Sequence, residues 1–548
     1  MRRVARHCNS FLTESEYEQV ISWQKFNSIE EKKGVANVIV DTKEGEFAVF
    51  NDRSTHTLCV AETGAGKTYS VLLPYLVACI RERESLIIND CKQELLPGVL
   101  PYLEMQGYEV VILNLHNLAK SPDTYNPLQI PFELYKSGEI ASAEKIVRNL
   151  ADFIFQSVDS EKDPYFTLSA KSVFKGAVSI LMREAKVVED CTLFQVAKLV
   201  ADIQRKIPVH NPLDKDYGVF GFDKESVSVL YFEEMADESE MICFDSLLNN
   251  SEETARCVNS VFMTCLEPYI TGEEIKSFLS KSSFVMEGFS QKPTAVFVQS
   301  SDYESAYDSI VTTFFEQVYS INALVADNST KRQLNIPLHF VMDEFANLTT
   351  PLTSMEKKIS TARSRNIRFF IVLQSIAGLR QSYKENTTQA ILSNCGLWVI
   401  LRSSEKEIQK MVIERLGLTT YPSGRQEPLV TYADLSSLEI GEALYIYKGR
   451  PIYRRVQDFK NMELPYTPLD SYEFHKRKVE KNSYGWDIIS YCYKILQKKT
   501  GLTIEQLKGE KPVLGEDGKE INSRQKMLND TRKRLQDLKL ELDEEDNL

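Results

Sequence analysis

The chain has 548 residues, 43% hydrophobic and 26% charged, enough to build two or three domains with proper cores. A net charge of −13, from 65 Lys and Arg against 78 Asp and Glu, excludes a uniformly basic nucleic-acid coat but leaves room for a local basic channel. No secretory signal is visible and no run approaches the ~18 uninterrupted apolar residues of a membrane span. The ten cysteines stand singly without zinc-ligand spacing, which predicts reduced thiols in a cytoplasmic setting.

Residues 1–50 read as a segment leading into the core. Thr57–Ala61 is a short apolar run, and it passes directly into Ala61-Glu-Thr-Gly-Ala-Gly66-Lys67-Thr68. A strand followed by this pattern predicts a phosphate-binding loop, with nucleotide hydrolysis as the first expectation. Gly64 and Gly66 free consecutive N–H groups to curl around phosphates, Lys67 can reach the β- and γ-phosphates, and the Thr68 hydroxyl can ligate Mg²⁺. Glu62, Thr63, Gly64, Ala65, Gly66, Lys67, Thr68 and Tyr69 are therefore the candidate nucleotide contacts. A glycine-rich turn without nucleotide is the bland alternative. Val71–Ile80 predicts a following helix, kinked at Pro74.

Further apolar runs at Ser85–Asn89, Glu109–Leu113, Thr294–Gln299, Leu338–Met342, Arg368–Leu373 and Leu397–Leu401 fit strands buried on both faces. Helical patterns separate most of them. The expected fold class is α/β with a mostly parallel sheet, the phosphate loop lying at the carboxyl end of its first core strand. The expected core covers 51–129 and 291–465. Between its halves, residues 130–290 carry helical periodicity, as in Ala141–Phe155, Ser169–Met182 and Asp245–Tyr269. This predicts an all-α insertion with a charged, less regular middle near Asp214–Glu225. Residues 466–548 read as a tail of lower hydrophobic density. It ends in a charged amphipathic helix over Lys533–Leu548, either solvated or docking a partner.

Leu338–Met342 runs into Asp343 and Glu344. In phosphate-loop enzymes such a pair supplies a carboxylate toward Mg²⁺, here Asp343, and a water-polarising base, here Glu344. The alternative is an acidic helix cap. Gln374, ending the next strand, is placed to sense the γ-phosphate or attacking water, or else faces solvent as a strand terminus. Arg363 and Arg365 precede that strand; one could reach a neighbouring subunit's γ-phosphate, or both are ordinary surface arginines. Asp90, at the end of Ser85–Asn89, could face the Mg²⁺ or the nucleotide.

Together these stretches resemble the TraG/TraD family of conjugative type IV secretion coupling ATPases. The resemblance is carried by the phosphate loop, Asn89-Asp-Cys-Lys-Gln-Glu-Leu95, Tyr125-Asn-Pro-Leu128 and Asp343-Glu-Phe-Ala-Asn347. Ser364-Arg-Asn-Ile-Arg368, Leu373-Gln-Ser375 and Ile391-Leu-Ser-Asn-Cys395 continue it, in matching order and spacing over about 35–460. The resemblance implies a RecA-like motor of the FtsK/HerA kind assembling as a hexamer, with ATP and Mg²⁺ as cofactors. It further implies that the helical insertion receives single-stranded DNA carrying a covalently attached relaxase, which the protein hands to the secretion channel. Two features depart from the family pattern. The usual N-terminal membrane helices are not seen, implying that another subunit supplies the anchor or that this is a truncated or soluble variant; the expected place is the cytoplasmic face of the plasma membrane. Asp90-Cys-Lys92-Gln also stands where Asp-Pro-Lys-Gly is usual, which predicts an altered turn at Lys92. The rival readings are a DNA translocase outside secretion and a nucleotide-gated docking receptor with little motor activity.

Overall fold

The computed structural model describes residues 10–25, 38–43, 46–52, 55–156, 164–209, 223–235, 238–301, 304–348, 350–420, 423, 425–455, 458–473 and 485–508. The chain divides into two compact units, 1–127 with 271–479 and 128–270 with 480–548. Among the described residues no helix is long and apolar enough to cross a membrane.

The first unit is built on nine strands: β1 (His56–Val60), β2 (Ser85–Asn89), β3 (Glu109–Asn114), β4 (Thr294–Gln299), β5 (Leu338–Met342), β6 (Ile367–Leu373), β7 (Cys395–Ile400), β8 (Glu442–Tyr447) and β9 (Arg450–Arg455). Their order is β9-β8-β7-β1-β6-β5-β2-β4-β3. The seven strands from β7 to β3 are parallel. They are the seven apolar runs, which read as continuous because both faces of the sheet are covered. On one face Val341, Phe370 and Val372 join a core with the helices Leu73–Glu82 and Leu95–Met105. On the other, Phe340 and Phe369 stack at 5.1 Å and meet Phe315 and Tyr319 of the helix Asp308–Asn328. Alternate residues of one strand thus feed opposite layers.

The edge pair β8–β9 is antiparallel to its neighbours. Lys448 (φ +50°) and Gly449 (φ +77°) turn this hairpin, two positive-φ residues whose twist matches the flanking strands. A separate three-stranded antiparallel sheet of Ile21–Lys25, Glu46–Phe50 and Ile39–Lys43 adds its apolar face to the first core.

The irregularity expected in the helix after the phosphate loop lies just before Pro74. Residues Thr68–Leu72 form a π turn in which the Leu73 N–H bonds to the Thr68 carbonyl, and the α-helix begins at Leu73. Pro74 has no N–H to give the preceding turn, so it sits in the first turn of the α segment.

The second unit is mostly helical. It comprises Gln129–Ser137, Ile140–Ile154, Tyr165–Glu184, Leu193–Ile203, Val227–Met235, Glu238–Leu248 and Glu252–Ile270. It also carries a short antiparallel pair, Lys206–Val209 with Asp223–Ser226; of the irregular middle expected near Asp214–Glu225, residues 214–222 lie outside the described residues. The insertion is narrower than 130–290, because residues 271–290 belong to the sheet unit. There the Tyr125 N–H bonds the Phe278 carbonyl (3.0 Å), and the Ser283 N–H bonds the Thr124 carbonyl (3.0 Å). Part of the expected tail belongs to the helical unit instead. The helix Ile488–Thr500 packs on Val227–Met235, with Tyr491 against Tyr231 at 5.6 Å. The amphipathic helix expected at 533–548 lies outside the described residues.

Candidate active site

The strand order builds the site. β6 lies between β1 and β5, with Leu373 beside Val60 and Ile371 beside Met342. The three segments leaving these strands, the phosphate loop, Gln374 and the Asp343–Glu344 pair, therefore emerge side by side at the carboxyl edge of the sheet.

The loop has the backbone its glycines imply. Gly64 and Gly66 have φ of +78° and +84°, conformations that cost a residue with a side chain. A Cβ on Gly66 would also lie 3.0 Å from Ile440 Cγ2 and 3.3 Å from Ser70 Oγ, whereas Gly64 faces open space. The Ala65 N–H closes the turn on the Glu62 carbonyl at 3.2 Å. Glu62 itself turns toward the end of β7. Its carboxylate accepts from Arg402 Nε (2.6 Å) and from the Ser404 hydroxyl (3.0 Å) and N–H (3.2 Å), which makes it a brace for the loop.

Lys67 is 6% exposed and sits between two carboxylates that are buried at least as deeply. Its Nζ lies 3.2 Å from Asp343 Oδ1 and makes a close ion pair with Glu344 Oε1. Gln374 Nε2 donates to both Glu344 oxygens at 2.7 Å, and its carbonyl accepts from the Thr63 hydroxyl at 3.2 Å. Asn347 Nδ2 adds a contact to Glu344 Oε2 at 3.4 Å. Glu344 has φ +54°, a strained position for a residue with a side chain. Burial pushes the Asp343 carboxyl above its usual range, more than the Lys67 charge pulls it down. Burial works against the Lys67 ammonium, but the two acids outweigh it and hold it above the usual lysine value.

Thr68 opens the π turn beside Lys67, and Tyr69 follows it, half-buried, with Lys460 Nζ 4.5 Å from its ring centroid. The Thr68 hydroxyl and the Asp343 carboxylate are hard oxygen donors, the type Mg²⁺ takes, and the paired positive-φ glycines suit a phosphate. The donor set fits both groups.

Asp90 is a correction. It is 1% exposed, and its two oxygens accept the N–H groups of Leu95 and Leu96, each at 3.1 Å. It caps the helix Leu95–Met105 rather than facing the nucleotide or metal. Burial pushes its pKa up to about 6, against the pull of those two hydrogen bonds.

Arg363 and Arg365 stand before β6, at the opposite edge of the sheet from Gln374. Seven strand residues, about 23 Å, separate the two ends. Arg365 is held by Asp327 through Nε (2.9 Å) and a second nitrogen (3.2 Å), while Arg363 is exposed. Neither joins its own chain's Lys67 cluster.

Gln93 adopts φ +56°, the left-handed conformation a glycine would take there, and Lys92 Nζ stands 3.8 Å from Glu344 Oε1. Lys92, Asn347, Arg402 and Asn89, whose Nδ2 holds the Asp343 carbonyl at 2.8 Å, belong to the site but were not singled out from sequence. The Asn89–Leu95 string was the signal for Asn89 and Lys92, and Asp343–Asn347 for Asn347; Arg402 lacks a local pattern.

A family model described as "Type IV secretory system Conjugative DNA transfer" matches residues 17–427. The VirD4 protein of Rhizobium rhizogenes is 23% identical over 377 residues, 68% of this chain and 50% of that protein. VirD4 of Agrobacterium fabrum (strain C58 / ATCC 33970) is also 23% identical over 377 residues, covering 68% and 51%. The chain thus spans about half the length of the curated relatives it matches. Among solved structures, the plasmid coupling protein TrwB in complex with the ATP analogue ADPNP has a TM-score of 0.56 at 13% identity, covering 86% of this chain and 98% of that one. The unbound conjugative coupling protein TrwBdeltaN70 gives 0.55 at 13% identity, covering 81% and 92%. At that identity the likeness shows a shared fold.

Proposed function

The chain belongs to the type IV secretory system conjugative DNA transfer family, and from that premise we propose that it is an ATP-hydrolysing coupling protein. It recruits DNA with its attached relaxase and delivers this cargo to a type IV secretion channel. The observation that carries the reading is the single cluster of Lys67, Asp343, Glu344 and Gln374 beside the glycine loop. ATP as the nucleotide is supported by the similarly folded TrwB, solved with ADPNP.

In this reading the loop N–H groups between Glu62 and Thr68 cradle the phosphates. Lys67 exchanges its two carboxylate partners for the β- and γ-phosphates, which releases Glu344. Glu344, oriented by Gln374 and Asn347, then positions and polarises the attacking water. Thr68 and Asp343 would hold Mg²⁺, which when bound neutralises phosphate charge. Lys92 adds a second cation next to Glu344, and Gln374, tied to Thr63, links the loop to the base. Arg363 or Arg365 serves a neighbour's site in a homo-hexameric ring. Lys and Arg lining the lumen contact DNA phosphates independently of sequence, with acidic charge outside. The helical unit recognises the relaxase–DNA cargo, and the ring works at the cytoplasmic face of the plasma membrane.

The biological test is transfer of the mobile element from cells in which the chromosomal or plasmid copy carries Lys67→Ala. The proposal expects transfer to collapse while the protein accumulates normally. Undiminished transfer would remove ATP-driven delivery from the account.

A further inference from the structure

The helices Glu385–Asn394 and Lys406–Leu416, on either side of β7 in the chain, line a groove of about 650 Å³ that includes no member of the Lys67 cluster. Trp398 of β7 lies in its wall. Leu397 and Val399 enter the core shared with the helix Leu73–Glu82, so Trp398 faces the opposite layer. Its indole N–H is already given to the Cys395 carbonyl (3.0 Å). Arg415 Cζ stands 4.3 Å from the indole centroid, a cation–π contact that holds the guanidinium in place.

Arg415 is half-buried, yet among the described residues it makes no hydrogen bond or ion pair, and its Nε is buried without an acceptor. Burial pulls its guanidinium below the ordinary arginine value, with no carboxylate working against it. The neighbouring cations differ. Arg380 is neutralised by Glu407 and by Glu385 (2.8 Å), and Lys410 stands 3.7 Å from Glu414. Lys406 is exposed and, like Arg415, has no ion-pair partner among the described residues. Four cations thus line the groove against two carboxylates, in a chain whose net charge is −13.

A desolvated guanidinium without acceptors is costly, and a carboxylate offsets that cost through two parallel N–H···O bonds. Leu392 and Met411 make other parts of the wall apolar, so the fitting ligand carries apolar groups beside its charge. Glu407 and Glu414 stand among the cations and would repel the unbroken charge of a nucleic-acid backbone, whereas a peptide with spaced carboxylates can avoid them. Arg, Trp and Met are also the residue types enriched at the centres of protein interfaces. We propose that this groove docks an acidic, leucine-bearing peptide segment of a partner protein, one of whose carboxylates pairs with Arg415. The inference stands apart from the nucleotide reading.

The probe is the capped peptide Asp-Glu-Leu-Asp-Glu-Leu, with its Asn-Gln-Leu counterpart as control. Binding is read from Trp398 fluorescence in the full chain after Trp23 and Trp486 are changed to Phe. The acidic peptide should give a saturable change. Arg415→Met, which keeps an apolar chain over the indole, should weaken it at least about tenfold (~1.4 kcal/mol), and the amide peptide should be as weak on the unaltered groove. If Arg415→Met does not fold, Lys406→Glu on the exposed helix face decides, with an expected loss of at least about threefold. No saturable change, equal affinity for the two peptides, or a variant that binds like wild type overturns the proposal. So does single-stranded DNA that displaces the peptide in an Arg415-dependent way, which would make the groove a nucleic-acid site. A smaller oligomer for Arg415→Met in sedimentation also overturns it, because the groove would then be filled by a second copy of the chain.

Discussion

Lys67→Met tests the electrostatics of the site without any ligand. In the wild type one ammonium serves two adjacent carboxylates, and Lys67, Asp343 and Glu344 are 6%, 5% and 4% exposed. At an effective dielectric of about 20, the 3.2 Å pair with Asp343 alone has a Coulomb energy of about 5 kcal/mol. Removing one partner of a buried pair typically costs about 3–5 kcal/mol, because the other charge stays buried. Gln374, Asn347 and Lys92 remain to serve Glu344, and Asp343 can take up a proton, so the expected loss at pH 8 is about 3 kcal/mol. The pH dependence has a definite sign. Burial already raises the Asp343 pKa in the folded protein, and loss of Lys67 raises it further. An acid with a raised folded pKa destabilises the fold as pH climbs from its unfolded value through the folded one, and no further above that. The raised Lys67 pKa keeps the wild-type contribution of this lysine complete below its ordinary value of 10.5. The stability gap between variant and wild type should therefore be widest at pH 8 and shrink toward pH 5. Urea unfolding at both pH values reads it, with Trp398 in β7 as reporter after Trp23 and Trp486 are changed to Phe. A variant as stable as wild type at pH 8, or a gap that widens on acidification, would refute the reasoning.

Gln93→Gly should stabilise the protein by about 1 kcal/mol, because glycine adopts φ +56° without penalty; a lower melting temperature would mean that the Gln93 side chain contributes contacts worth more than the strain. Glu344→Gln should still bind MgATP but turn it over at least about 100-fold more slowly, and a wild-type rate would move the base elsewhere. Arg363→Ala and Lys67→Ala should each be inactive alone, yet mixed rings should regain ATPase if Arg363 completes a neighbour's site; no recovery in mixed oligomers argues against that role.

The parallel sheet was legible because each of its seven strands is a continuous apolar run, from Thr57–Ala61 to Leu397–Leu401. The cluster of Lys67, Asp343, Glu344 and Gln374 was legible because each residue ends such a run or follows a glycine pattern. The β8–β9 hairpin was missed because Lys448-Gly449 is not one of the strong hairpin dipeptides, and only Gly449 marks the turn. Asp90 was misread because a strand-terminal acid looks alike whether it faces a metal or caps a helix. Only the fold brings Leu95 and Leu96 onto its oxygens. The end of the insertion was set too late, since residues 271–290 are bound to Thr124–Asn126 by contacts with no periodicity. Lys92 was discounted because Gln replaces Gly beside it, and the backbone accepts that strain.

The most direct measurement is steady-state MgATP turnover by the assembled protein with and without single-stranded DNA, comparing wild type with Lys67→Ala. The account predicts wild-type turnover that DNA accelerates and that the variant abolishes. A folded, assembled wild type that binds MgATP but turns over no faster than Lys67→Ala, even with DNA, would contradict a motor and leave a nucleotide-gated receptor in its place.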